Sequence, residues 1–161
     1  MTKLLPVVVA GGGIGGLTLA LALAKKGIAS KVLERTETFS EAGAGIQLGP
    51  NAVRVLQDLG AAAPLTPRVA CPRAIMVFDG PSGRPLAKLP LGEWIAQRHG
   101  APYWVAHRAD LQAALLAAAR ASPLIEIVMA FKVARFDQTP DSDASPTNAC
   151  PPAADARGFA D

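Results

Sequence analysis

The chain has 161 residues, enough to bury one core, and half of them are apolar, which excludes disorder over most of its length. Its 16 basic and 13 acidic residues leave a net charge of +3, spread out without the Lys/Arg clusters that nucleic acid or a lipid surface would require. Cys71 and Cys150, each followed by proline, have no spacing for a disulfide framework or a metal site, so a cytoplasmic globular protein with reduced cysteines is expected.

The β-branched run Val7, Val8, Val9 predicts a buried parallel strand, and the residues after it, AGGGIGG, lead into an Ala/Leu helix pattern. Gly11, Gly13 and Gly16 stand there in GxGxxG spacing: a turn, room for a phosphate, and a close helix–strand approach. The helix start then aims its unpaired N–H groups and positive dipole end at an anion. A second strand over residues 29–33 ends in Glu34, where a ribose-binding carboxylate is expected, about 20 residues past the motif. Residues 4–24 carry no charge, yet their glycines and Pro6 argue against a membrane span or secretory segment. Lys25, Lys26 and Gly27 supply the stop signals of a soluble helix.

Residues 36–41 read as a turn and residues 42–51, AGAGIQLGPN, as a glycine-punctuated loop. Gly43, Gly45 and Gly49 let backbone approach a flat ligand, and Gln47 offers an amide to it; an ordinary connecting loop is the alternative. A helix over 52–59 follows, stopped by Gly60. Residues 73–78 and 85–89 predict a β-ribbon around the turn formers Asp79 to Gly83. A strand over 103–106 leads through His107, Arg108 and Asp110 into a helix carrying Leu111, Leu115 and Leu116, ending near Ser122 and Pro123. At that junction the Arg108 guanidinium can pair with phosphate oxygens, the alternative being a solvated or Asp110-paired surface arginine. His107 has no nucleophile or carboxylate at catalytic spacing, which favours a structural role. Strands are also predicted over 125–128 and 132–137.

Three segments, VVVAGGGIGGLTLALALAKKG with Glu34 and Arg35, GAGIQLGPNAVRVLQDLG, and WVAHRADLQAALLAAA, occur in an order and spacing that resembles the class A flavoprotein aromatic monooxygenases, the group of salicylate and 3-hydroxybenzoate hydroxylases. The likeness runs from residue 6 to about residue 137. It implies an α/β fold, a Rossmann-type FAD-binding βαβ with an added β-ribbon and an incomplete doubly wound sheet. It further implies FAD, with Gly11, Gly13, Gly15 and Gly16 against the pyrophosphate and Glu34 on the adenosine ribose. Arg35 joins the adenosine contact, although an arginine there can also take the 2′-phosphate of NADP. Gly45, Gln47 and Arg108 are implied nearer the flavin. The activity implied is hydroxylation of a small, hydroxybenzoate-like aromatic substrate with NADH or NADPH as co-substrate, with this fragment expected to be inactive by itself; a non-catalytic flavin- or dinucleotide-binding module or remnant is the alternative.

The family pattern continues with a DG and a GD motif that this chain does not carry, because Asp79–Gly80 falls in the ribbon turn. Residues 1–138 are therefore expected to be a partial FAD-binding domain of an N-terminal fragment without a substrate domain, and residues 139–161, rich in Pro, Ala, Asp and Ser, a disordered or aberrant tail. An incomplete sheet exposes an edge, which predicts marginal stability and self-association through it.

Overall fold

A computed structural model describes residues 5–39, 44–139 and 142–148. β1 (Val7–Ala10), α1 (Ile14–Lys25) and β2 (Ser30–Leu33) form the expected βαβ corner with β2 parallel to β1, Val7 opposite Ser30. α1 ends in a Schellman motif: Gly27 takes φ +74°, its N–H reaches Ala24 O, and the Ile28 N–H reaches Leu23 O. The same device ends α2 (Pro50–Asp58) at Gly60, with the Ala61 N–H on Leu56 O.

β3 (Gly45–Leu48) precedes α2, and its presence corrects the loop expected over 42–51. Gly45 to Leu48 pair antiparallel with a strand that arrives almost sixty residues later, so nothing local announces them beyond the alternation of Ile46 and Leu48. Gly43 lies outside the described residues. After α2 come α3 (Ala62–Leu65) and a 3₁₀ turn (Thr66–Arg68), then β4 (Ala74–Phe78) and β5 (Pro85–Pro90), the expected ribbon. Asp79 and Arg84 close its turn, the Asp79 N–H donating to Arg84 O at 2.8 Å. α4 (Gly92–His99) has no counterpart in the sequence expectations, although Glu93 in its first turn, Arg98 and His99 in its last and Gly100 at φ +72° are ordinary helix-boundary signals.

β6 (Trp104–His107), the partner of β3, runs directly into α5 (Arg108–Arg120). β7 (Ile125–Val128) returns to the first sheet beside β2, giving the parallel order β1-β2-β7 with Ser30 opposite Ile125. β1 is therefore an edge strand among the described residues, which corrects the buried strand expected from its valines: Val9 is buried, whereas Val7 and Val8 are 40% and 37% exposed. Burial falls instead on β2, the central strand, where Val32 and Leu33 are almost inaccessible.

β8 (Val133–Thr139) and β9 (Ser142–Asn148) form an antiparallel pair. That corrects the irregular tail expected from residue 139 over Ser142–Asn148; residues 140–141 and 149–161 lie outside the described residues. α1 and α5 pack on each other and on β2 and β7, burying Leu17, Ala20, Val32, Leu111, Leu115 and Ala119. Val53, Leu56, Leu65 and Trp104 extend the same core beneath α2 and α3. Among the described residues no helix is long and apolar enough to cross a membrane.

Candidate cofactor site

The glycine turn at the end of β1 is held from several sides. The Gly11 N–H donates to Leu33 O at 2.8 Å, and φ +103° at Gly11 turns the chain into α1. A Cβ on Gly16 would stand 1.9 Å from Gly11 O, so α1 rests directly on the turn and no side chain fits between them. Gly13 and Gly15 differ: a Cβ at either meets no atom within 4 Å, which leaves space over the start of α1 that the protein itself does not fill. The first bond into the helix is from the Leu17 N–H to Gly13 O. The N–H groups of Gly13, Ile14, Gly15 and Gly16 meet no acceptor among the described residues, and no side chain caps them. Free donors, a positive dipole end and open space together suit a pyrophosphate.

Glu34 stands at the end of β2 against this turn. Its Oε2 accepts the Gly12 N–H at 2.7 Å, and its Oε1 accepts the Thr36 N–H and hydroxyl, each at 3.0 Å. Partial burial pushes the carboxyl upward, but hydrogen bonds from Thr36 and Gly12 outweigh it and hold Glu34 below its ordinary value. The chain leaving β7 wraps the same residue: Phe131 donates its N–H to Glu34 O and Ala130 donates to Thr36 O. Ala130 makes this turn at φ +55°. Arg35, exposed, lines a concavity of about 240 Å³ with Gly11, Glu34, Phe131 and Lys132. Phe131 and Lys132 escaped the sequence reading because only the β2–β7 pairing brings them to Glu34.

On the other side of the turn stands the start of α5. Gln112 Nε2 donates to Gly12 O at 3.3 Å, linking residues 100 apart. Arg108 is exposed at the first position of α5, its N–H bonded to Ala44 O at 3.1 Å. Asp110 pairs with Arg68, with Nη1 and Oδ1 2.7 Å apart, and makes no ion pair with Arg108, whose exposure leaves the solvated alternative open. His107 caps α5, its Nδ1 accepting the Ala109 N–H at 3.3 Å, in keeping with a structural role. Gly45 pairs with His107 and so lies beside this junction, whereas Gln47 is two residues further along β3 with its Oε1 bound by the Tyr103 hydroxyl at 2.6 Å. A second concavity, of about 390 Å³, opens between Phe39, Arg68, His107 and Gln112. Gly12 was also missed: a Cβ there would stand 2.9 Å from the Phe39 ring, and both of its backbone polar groups are held.

A parallel βαβ whose glycine turn presents free N–H groups beside a carboxylate on the second strand defines a dinucleotide-binding domain. The FAD binding domain family matches residues 4–148, and the chain belongs to it, among the class A FAD-dependent aromatic monooxygenases. It is 41% identical over 134 residues to the 3-hydroxybenzoate 6-hydroxylase of Polaromonas naphthalenivorans, covering 83% of this chain and 34% of that protein. Over 110 residues it is 46% identical to a 3-amino-4-hydroxybenzoate 2-monooxygenase of Streptomyces platensis, covering 68% of this chain and 28% of that one. Among solved structures, p-nitrophenol 4-monooxygenase from Pseudomonas putida superposes with a TM-score of 0.74 at 27% identity, over 86% of this chain and 35% of that one. The chain thus spans about a third of the length of the relatives it matches.

Proposed function

We propose that this chain is the FAD-holding part of a cytoplasmic, NADH- or NADPH-dependent monooxygenase that hydroxylates a small, hydroxybenzoate-like aromatic acid. The observation that carries the proposal is the glycine cradle, with its unpaired N–H groups and the Glu34 carboxylate, in a chain related to hydroxylases of hydroxylated ring acids. In this reading Gly11, Gly13, Gly15 and Gly16 form the pyrophosphate cradle, and the free donors at the start of α1 take its charge. Glu34 accepts the ribose hydroxyls, while Arg35 and Lys132 border the adenosine. Arg108, at a helix start and without an acid partner among the described residues, is assigned to the flavin side, with Gly45 and the Gln47 amide on the neighbouring strand. Bound FAD would take hydride from NADH or NADPH and activate dioxygen for insertion of a hydroxyl into the ring. The chain's own contribution is to anchor and orient.

The exposed outer edge of β1, with Val7 and Val8, supports self-association as a further property of the isolated chain. The reading is tested by adding FAD, removing the excess and recording visible absorbance beside Glu34→Ala, then following NADH or NADPH oxidation with hydroxybenzoates. Retained flavin, weakened in Glu34→Ala, is expected, without ring hydroxylation by this chain alone. Soluble folded protein that retains no flavin overturns the reading. Retained flavin that supports no aromatic-stimulated oxidation when the chain replaces the matching segment of a full-length relative selects the alternative of a non-catalytic flavin-binding module.

A further inference from the structure

We propose that Gln112 is a positioning residue of the cofactor site, its side-chain amide aiming the Gly13 N–H by holding the Gly12 carbonyl. The proposal rests on the FAD reading above and deepens it. Gly11, Gly12 and Gly13 have no side chains to restrict their peptide planes, so left to itself this turn samples many orientations at little cost. The structure removes that freedom at Gly12 from three directions. Its N–H is taken by Glu34 Oε2 at 2.7 Å, its carbonyl by Gln112 Nε2 at 3.3 Å, and the Phe39 ring closes its third side, 2.9 Å from where a Cβ would stand.

The Gly12–Gly13 peptide is planar and trans, so its C=O and N–H point in opposite directions. Tying the carbonyl toward α5 therefore turns the Gly13 N–H away from α5. That N–H meets no acceptor among the described residues, and Gly13 borders the open space over the start of α1. Gln112 thus acts on the anion through a peptide it never leaves, and it does so with a neutral donor that does not compete with the cradle for the phosphate charge. It also couples α5, the helix that begins at Arg108, to the turn that begins α1.

The test compares Gln112→Met, which keeps length and removes the donor, with Gln112→Lys, which restores a donor but adds a charge, so that its recovery of affinity counts only where the two resonances below return with it. Two quantities are read: the Gly12 carbonyl and Gly13 amide NMR resonances of the FAD-free chain, and FAD affinity by quenching of flavin fluorescence. Gln112→Met is expected to move both resonances and weaken FAD about tenfold at an unchanged unfolding midpoint, and Gln112→Lys to recover most of that loss. Unmoved resonances, an unchanged affinity, or a loss that tracks a lower unfolding midpoint and is not recovered by lysine overturns the proposal. If the unsubstituted chain takes up no FAD, the FAD reading fails, while the two resonances still decide whether Gln112 orients the peptide.

Discussion

The glycine corner and the β4–β5 ribbon are both turns between short elements, yet they are held together in opposite ways. The ribbon closes through neighbours: Asp79 bonds Arg84 and Ser82 within one turn, and its strands leave Val77, Phe78, Leu86 and Leu89 exposed. The corner closes through residues far apart, with Gly12 bound to Glu34 across 22 positions and to Gln112 across 100, and with Glu34 clasped by Phe131. Local closure gives a shape that tolerates change. Non-local closure gives a shape in which single atoms matter, which is what a cofactor with fixed phosphate positions needs.

The sharpest way to break this contrast is Gly16→Ala. The added methyl would meet Gly11 O at 1.9 Å, so α1 must lift from the turn, and a loss of about 3 kcal/mol is expected in urea unfolding followed by circular dichroism. Gly13→Ala separates the cradle from the fold. Its Cβ meets no protein atom and its φ is −72°, so stability should change by less than about 0.5 kcal/mol. A methyl intruding on the pyrophosphate should nonetheless weaken FAD roughly ten- to a hundredfold in a flavin titration.

Acid should loosen the corner before the ribbon. The native Glu34 carboxyl sits below its ordinary 4.5, so its contribution to stability is present above that value and is lost as pH falls through the lower native one. Glu34→Gln should remove that part of the acid limb of an unfolding-midpoint profile; an unaltered limb would place the acid sensitivity elsewhere. The smallest effect belongs to the ribbon. Phe78→Ser, at a side chain already 55% exposed, should shift stability by under about 0.5 kcal/mol and leave FAD uptake unchanged.

Much of the corner was legible along the chain. Glycine spacing, the valine run, the acid at the end of the second strand and Gly27 as a stop are signals that act over a few residues, and β1, α1 and β2 follow them. The β4–β5 ribbon and α5 were legible for the same reason. The edge position of β1 was not, because burial of a strand depends on how many partners it acquires, and the valines at 7 and 8 read alike in either setting. Nor was β3, whose pairing partner lies in β6, or β9, whose composition argues against a strand that pairing with β8 nevertheless forms.

By itself, then, the amino-acid order determined the class of the fold and the spacing of a dinucleotide cradle, since helix, turn and cap preferences are set by neighbouring residues. Only the tertiary structure decided how the cradle is held: that Gly12 is gripped by Glu34 and Gln112, that Asp110 pairs with Arg68 and Arg108 has no acid partner among the described residues, and that Phe131 and Lys132 border the Glu34 site. Those contacts join segments far apart in the chain, and their geometry exists only once the sheet and the two helices over it have packed.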